Sequence, residues 1–287
     1  MVRIVEIIGG LGNQMFQYAF FLYLKNKSHI WDRLYVDIEA MKTYDRHYGL
    51  ELEKVFNLSL CPISNRLHRN LQKRSFAKHF VKSLYEHSEC EFDEPVYCGL
   101  RPYRYYRGYW QNEGYFVDIE PMIREAFQFN INILSEKTKA IASKMNRELS
   151  VSIHVRRGDY ENLPEAKAMH GGICSLDYYH KAIDFIRQRL GSNICFYLFS
   201  DDVNWMEENL QLENRCIIDW NQGEDSWQDM YLMSCCRHHI IANSSFSWWA
   251  AWLNPNKNKI VLTPNKWFNH TDAVGIVPES WIKIPVF

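Results

Sequence analysis

The stretch Val151–Tyr160 reads VSIHVRRGDY, an apolar strand that runs directly into two arginines, a glycine and an aspartate. With a side-chain period of two, Val151, Ile153 and Val155 share one face, and Ser152, His154 and Arg156 share the other. A largely apolar strand of this kind belongs in a parallel sheet covered on both faces. Such sheets take their ligands beyond the C-terminal ends of the strands, where Arg156, Arg157 and Asp159 fall. A guanidinium there can fork onto diphosphate oxygens and neutralise the charge that grows as a nucleotide leaves. Asp159 is close enough in sequence to hold one guanidinium in place, and the same residues also make a purely structural Arg–Asp turn.

Toward the C-terminus, short apolar strands recur at ICFYLFS (from Ile194), RCIID (from Arg215), HHIIA (from His238) and KIVLT (from Lys259), with helical stretches between most of them. Ser175 can cap LDYYHKAIDFIRQRL, whose Leu176, Tyr179, Ile183, Ile186 and Leu190 repeat at three and four residues. Asn254 and Pro255 stop the helix SFSWWAAWL. Toward the N-terminus, Val2–Ile8 reads as a buried strand, GGLGNQ as a glycine turn, MFQYAFFLYLKNK as a helix and Arg33–Asp37 as a second parallel strand. The alternation predicts an α/β chain of two Rossmann-like domains with parallel sheets. The expected division is 1–140, with a helical insertion, and 141–287, with Ser135–Glu148 as a linking helix. One continuous sheet also fits the pattern. The tyrosine- and arginine-rich segment 97–115 reads as a loop-rich connection.

Three further elements can carry chemistry. SDD (Ser200–Asp202) follows a strand, where acidic residues bind ribose hydroxyls or cap the next helix. ANSSFSWW opens a helix with small polar residues whose amides and hydroxyls can meet an anion, or simply cap. GGLGNQM allows close backbone approach to a ligand, but it lacks the Gly-Lys-Ser/Thr of a P-loop and does not match Gly-x-Gly-x-x-Gly.

Composition sets limits. The 287 residues are 47% hydrophobic, enough for one large or two moderate domains. With 33 basic against 34 acidic residues, a dedicated nucleic-acid binder is disfavoured. The eight cysteines form no Cys-x-x-Cys pair, so metal and redox templates fail, and no segment has the roughly 20 apolar residues of a spanning helix. A cytoplasmic protein is expected. The basic stretch 61–90 fits a solvated helix face, or a peripheral contact with an anionic membrane surface or lipid-linked acceptor. Trp248, Trp249 and Trp252 sit at helical spacing and read as core, leaving Trp110, Trp205 and Trp220 as surface candidates for sugar stacking.

Taken in order, GGLGNQMFQYAF, HVRRGDY, FSDD and NSSFSWWAAWL resemble the α-1,2-fucosyltransferases, a glycosyltransferase family 11-like pattern running from Gly9 to about Leu253. The likeness extends more thinly to α-1,6- and protein O-fucosyltransferases. It implies two facing Rossmann-like domains (the GT-B arrangement), GDP-fucose as donor substrate, inversion at the anomeric carbon, and no cofactor or required metal. The acceptor would be a galactose-terminated oligosaccharide or lipid-linked glycan. Absence of any Asp-x-Asp pair agrees with metal independence. Carried over by residue, Arg156, supported by Arg157, meets the donor phosphates, and His154 shapes the pocket. Ser244, Ser245 and the Phe246 amide receive the β-phosphate, and Asp202 binds the donor or caps its helix.

Asp229 stands fifteen residues before Ser244, the spacing of a guanine-binding aspartate in the α-1,6 relatives; the alternative is an exposed helix residue. Asn13 and Gln14, with Gly10 and Gly12, match the Gly-Asn-Gln of the O-fucosyltransferases, whose asparagine faces the reacting groups. For the base, Asp159 is preferred over Glu161, Glu165 and His170, and a leaving phosphate that takes the proton itself would need none. The rival readings are a fucosyl linkage such as α-1,6, or a non-catalytic GDP-sugar or glycan-binding module.

Overall fold

A computed structural model describes residues 1–44, 47–64, 66, 84–87 (backbone), 103–271 and 275–286. The chain forms two compact units, Met1–Asn130 with Val274–Ile276, and Ile131–Ala273 with Val277–Phe287.

In the first unit, β1 (Val2–Glu6), β2 (Arg33–Asp37), β3 (Leu84–His87) and β4 (Tyr103–Gly108) form a parallel sheet in the order β2-β1-β4-β3. The helix Leu11–Lys27 is buried at every position from Leu11 to Leu24 except Asn13. A helix apolar nearly all round must be enclosed, and here aromatic rings enclose it. Phe20 stacks on Trp110 with centroids 3.7 Å apart, and Tyr106 and Tyr115 meet Phe20 edge-on. Trp110 is therefore core and not a sugar platform.

Gln17 has no access to solvent, yet its amide is satisfied. It accepts from the Ile8 amide at 2.9 Å and donates to the Gly108 carbonyl at 3.0 Å, tying the helix to the ends of both β1 and β4. Two expectations fail in this unit. Residues 103–108, read as loop, are a strand: their tyrosines suit a pleated surface, and pairing with β1 and β3 outweighs the flanking glycine and proline. Residues 84–87, read as part of a helical stretch, are strand β3; most of the basic stretch 61–90 lies outside the described residues.

In the second unit, β5 (Ser150–Val155), β6 (Cys195–Ser200), β7 (Arg215–Ile218), β8 (His238–Ile240), β9 (Val261–Pro264) and β10 (Ile282–Ile284) form a parallel sheet in the order β10-β9-β8-β5-β6-β7. The chain winds outward from β5 to β7, then crosses back to β8 and winds the other way. This is the doubly wound order, and its ligand crevice opens where the winding reverses, between β5 and β8. The linking helix Glu136–Met145 belongs here. The Ser135 amide donates to Gln228 at 3.0 Å and the Thr138 hydroxyl to Asn221 at 3.2 Å, so the chain divides after Asn130 rather than after residue 140. Among the described residues no helix is long and apolar enough to cross a membrane.

The two faces of β5 differ as its sequence implies. Val151, Ile153 and Val155 pack with Tyr178, Tyr179, Ala182 and Ile186 of the helix Leu176–Leu190. Ser152 and His154 instead enter buried hydrogen bonds: Ser152 Oγ lies 2.9 Å from His239 Nδ1, and His154 Nδ1 lies 2.8 Å from Ser247 Oγ. Asn254 accepts the Asn256 amide through Oδ1, which turns its Nδ2 toward His239 Nε2 at 2.8 Å. His239 must then carry its proton on Nδ1, and a second proton would face the Asn254 amide. Burial drives the His239 pKa well below the ordinary histidine value, and burial also pushes His154 down to about 4.

Both groups titrate lower in the folded chain than in the unfolded one. Their contribution is therefore present above pH 6.5 and lost as pH falls toward 4. We expect urea denaturation to show stability dropping by on the order of 2 kcal/mol between pH 7 and 5 from His154 alone, with a shallower pH slope in His154→Gln.

Candidate active site

Val155 pairs with Ser200, so the residues leaving β5 and β6 emerge side by side. Arg156 Nη2 lies 2.9 Å from Asp159 Oδ1, and its Nη1 lies 2.9 Å from Asp201 Oδ2. Burial alone would depress the guanidinium pKa, but the carboxylates of Asp201 and Asp159 outweigh it and hold the group above its ordinary value. The guanidinium also stands 5.7 Å over the Tyr160 ring. Arg157 turns elsewhere. Its Nε lies 3.2 Å from Asp202, its Nη1 3.7 Å from Glu161, and its guanidinium 4.6 Å over Trp205. Asp202 caps the helix Val203–Asn209 by accepting the Trp205 amide at 3.1 Å. Capping thus takes one oxygen of Asp202 and Arg157 the other, which leaves Arg156 as the arginine oriented by this turn.

Across the crevice, β8 ends at Ile240, and the chain passes through Asn243 and Ser244 into the helix Ser245–Leu253. Ser244 caps it, its hydroxyl accepting the Phe246 amide at a long 3.4 Å. First-turn amides and the helix dipole favour an anion at this end. Asn243 braces the junction: its side chain donates to the carbonyls of His170 (3.2 Å) and Trp267 (3.1 Å), and its own carbonyl accepts the Tyr160 hydroxyl at 3.1 Å. A cavity of about 240 Å³ opens here, lined by Arg156, Arg157, Tyr160, His170, Cys174 and Asn243 among others. Burial raises the Cys174 thiol to about 12, so it offers no nucleophile.

His154 lies beneath this site, 6% exposed, bonded to Ser247 and with its ring 5.9 Å from that of Phe246. Held neutral, it braces the first turns of the helix Ser245–Leu253 through Ser247. Two of the base candidates are paired, Asp159 with Arg156 and Glu161 with Lys167 at 3.0 Å, while Glu165 is exposed. His170 is stacked between Tyr160 (4.7 Å) and Phe268 (5.1 Å).

Asp229, in the first turn of the helix Trp227–Cys235, is not the exposed residue of the alternative reading. It is half-buried and accepts from Asn221 Nδ2 at 2.8 Å. Burial pushes its carboxyl up to about 7, against the lowering effect of the Asn221 hydrogen bond and with help from Asp219.

In the first unit the glycine turn follows β1. Gly9 adopts φ +94°, which requires glycine, and a Cβ at Gly10 would meet the His47 ring at 3.3 Å. Gly12 and Gln14 are buried. Gln14 donates to the carbonyls of Gly9 and Gly49, each at 2.8 Å, and accepts the Glu51 amide at 3.0 Å. Its polar atoms are spent on shaping the loop, so Gln14 is a frame residue here. Asn13 reaches the surface, its Oδ1 accepting from Gln111 at 2.9 Å.

Sequence reasoning singled out Arg156, Ser244 and Asp229, weighed Asp201 and Asn243 individually only as helix caps, and gave Tyr160 no role. The signal for Asp201 was the doubled aspartate after β6. Which of the two faces Arg156 depends on the register of β5 against β6.

Comparison with known proteins agrees with this architecture. The chain is 34% identical to the alpha-1,2-colitosyltransferase of Escherichia coli, covering 99% of each chain. It is 33% identical to the O-antigen biosynthesis glycosyltransferase WbnK of Escherichia coli, covering 96% of this chain and 98% of that one. Human galactoside alpha-(1,2)-fucosyltransferase 1 is 24% identical over 85% of this chain and 63% of its own. Among solved structures, the fucosyltransferase NodZ from Bradyrhizobium shares the fold, with a TM-score of 0.53 at 12% identity over 88% of this chain and 93% of that one. The profile of glycosyl transferase family 11 matches residues 2–284, and the chain belongs to that family.

Proposed function

We propose that this glycosyltransferase moves L-fucose from GDP-β-L-fucose to the 2-hydroxyl of a terminal galactose, inverting the anomeric centre and needing no metal. The observation that carries the reading is the reversal of winding between β5 and β8, which brings Arg156 and the N-terminus of the helix Ser245–Leu253 to one crevice. Both groups favour a diphosphate, and both stabilise it more as it leaves. The acceptor oxygen forms its bond to the anomeric carbon from the face opposite the phosphate. The carbon–oxygen bond to the β-phosphate breaks, with the electron pair going to the phosphate oxygen. The acceptor hydroxyl loses its proton on the face away from the phosphate, so the proton passes to a side-chain base or to solvent on that face and not directly to the departing phosphate.

A second donor has specific support. Identity to the colitosyltransferase, at 34%, exceeds that to the human fucosyltransferase, at 24%. Colitose is the 3-deoxy counterpart of fucose, so the same diphosphate site serves either sugar. The galactose acceptor follows the fucosyltransferase relatives. A cytoplasmic setting, with contact at the membrane surface when the acceptor is lipid-linked, fits the free thiols of the six described cysteines.

Guanine is assigned to Asp229, and NodZ, which shares the fold, has been crystallised with GDP. A half-buried carboxylate can accept both the N1–H and the exocyclic amine of guanine. Adenine presents an acceptor at N1 and would leave it unpaired.

Release of GDP on incubation with GDP-fucose and lactose tests the reaction. Arg156→Ala should slow it by about a hundredfold or more with the fold retained, and Arg156→Lys should recover little, because an ammonium lacks the fork. Near-normal turnover in Arg156→Ala would sink the assignment. Activity should persist in EDTA; complete loss, restored by a divalent ion, would show that the charge is met in another way.

For Asp229, the ionised form is the one that binds guanine, and it fades as pH falls through about 7. Calorimetry with GDP should therefore show affinity falling roughly tenfold from pH 8 to pH 6. Asp229→Asn should bind GDP weakly at both pH values, apart from titration of the β-phosphate itself.

A further inference from the structure

Asp201, at the end of β6, makes two contacts with the chain leaving β5. Its Oδ1 accepts the Arg157 amide at 2.8 Å, and its Oδ2 lies 2.9 Å from Arg156 Nη1. One side chain thus fixes both the backbone of the turn and the guanidinium that the turn presents. Gly158 makes the space for it. A Cβ at residue 158 would stand 2.8 Å from Asp201 Oδ2 and 3.1 Å from its Cγ, closer than such atoms approach. Gly158 opens the helix Gly158–Asn162 in ordinary helical geometry, so the position needs a missing side chain and not an unusual φ. Electrostatics gives the carboxylate no place here otherwise, since a negative charge a few ångströms from a bound diphosphate opposes binding.

We propose that Asp201 is a positioning residue that holds Arg156 for the donor diphosphate, and that Gly158 stays free of a side chain to seat it. The proposal rests on the reading of Arg156 given above. With Asp159 2.9 Å from Nη2 and Asp201 2.9 Å from Nη1, the guanidinium is held between two carboxylates, and its five N–H groups exceed what these two ion pairs can occupy. The remaining donors keep a fixed direction, and an error of about an ångström in such a group can cost on the order of a hundredfold.

The sign of one measurement separates positioning from simple charge. If Asp201 acted only by its charge, Asp201→Asn would bind GDP more tightly. If it positions Arg156, calorimetry should show Asp201→Asn binding GDP at least about tenfold more weakly, while binding of GMP, which lacks the β-phosphate, changes little. Gly158→Ala should reproduce that loss by displacing the carboxylate. In an Asp201→Ala background, where the new Cβ meets no carboxylate, Gly158→Ala should cost almost nothing further.

Circular dichroism establishes that each variant is folded, and if Asp201→Asn does not fold, Gly158→Ala carries the test alone. Tighter or unchanged GDP binding in a folded Asp201→Asn overturns the proposal. So does an unchanged GDP affinity in Gly158→Ala, or a double variant whose losses simply add. Arg156→Ala distinguishes the two levels: if it binds GDP normally, the reading of Arg156 itself has failed.

Discussion

The parallel pairing of β5 with β8, Val151 against His238 through Ile153 against Ile240, is the contact on which the second unit depends. It joins strands far apart in sequence, and it is where the winding changes direction. Helices arriving from opposite sides cannot close the gap above this pair, so a crevice forms as a consequence of topology. Arg156 leaves one strand and Ser244 follows the other, and each reaches the crevice without a long loop. Below them the seam is polar but uncharged, because His154 and His239 are kept neutral by burial. A floor with few mobile charges or waters screens little, so the guanidinium and the helix terminus act on an anion at greater strength than they would in solvent.

The same economy shows in the side chains around the arginines. Arg156 and Arg157 are surrounded by Asp159, Asp201, Asp202 and Glu161, so both guanidinium charges are already matched by carboxylates within the turn. Such a turn can fold without an anion present. Both arginines line the cavity, but they are held differently: Arg156 between Asp159 and Asp201, and Arg157 over Trp205 and against Asp202.

Much of this was legible in the sequence because buried parallel strands are rich in apolar residues, as β6, β7 and β9 are, while β5 and β8 add polar residues to an apolar framework. Arg156 and Ser244 were legible for a related reason, since each directly follows such a run. Strands β3, β4 and β10 were not. Tyr103–Gly108 carries a glycine and five charged or polar-tipped residues, and it becomes a strand because β1 and β3 supply partners on both sides. The grip of Asp201 was hidden because cross-strand register, and not spacing along the chain, decides which aspartate of SDD meets Arg156. Nor does sequence show how Gln14 and His154 are held. Both are residue types that usually signal contact with a ligand, and both are spent on internal hydrogen bonds.

GGLGNQMFQ illustrates how a motif can mix two kinds of constraint. Gln14 and Gln17 are enclosed and bind backbone groups on separate segments, so they behave as internal rivets, while Asn13 between them is open to the surface. A combinatorial library aimed at new acceptors would therefore gain nothing from randomising the whole motif. Most members would be lost to misfolding at the two glutamines. Diversity confined to Asn13 would spare both glutamines, and would vary the one side chain of the motif's Gly-Asn-Gln core that is not buried.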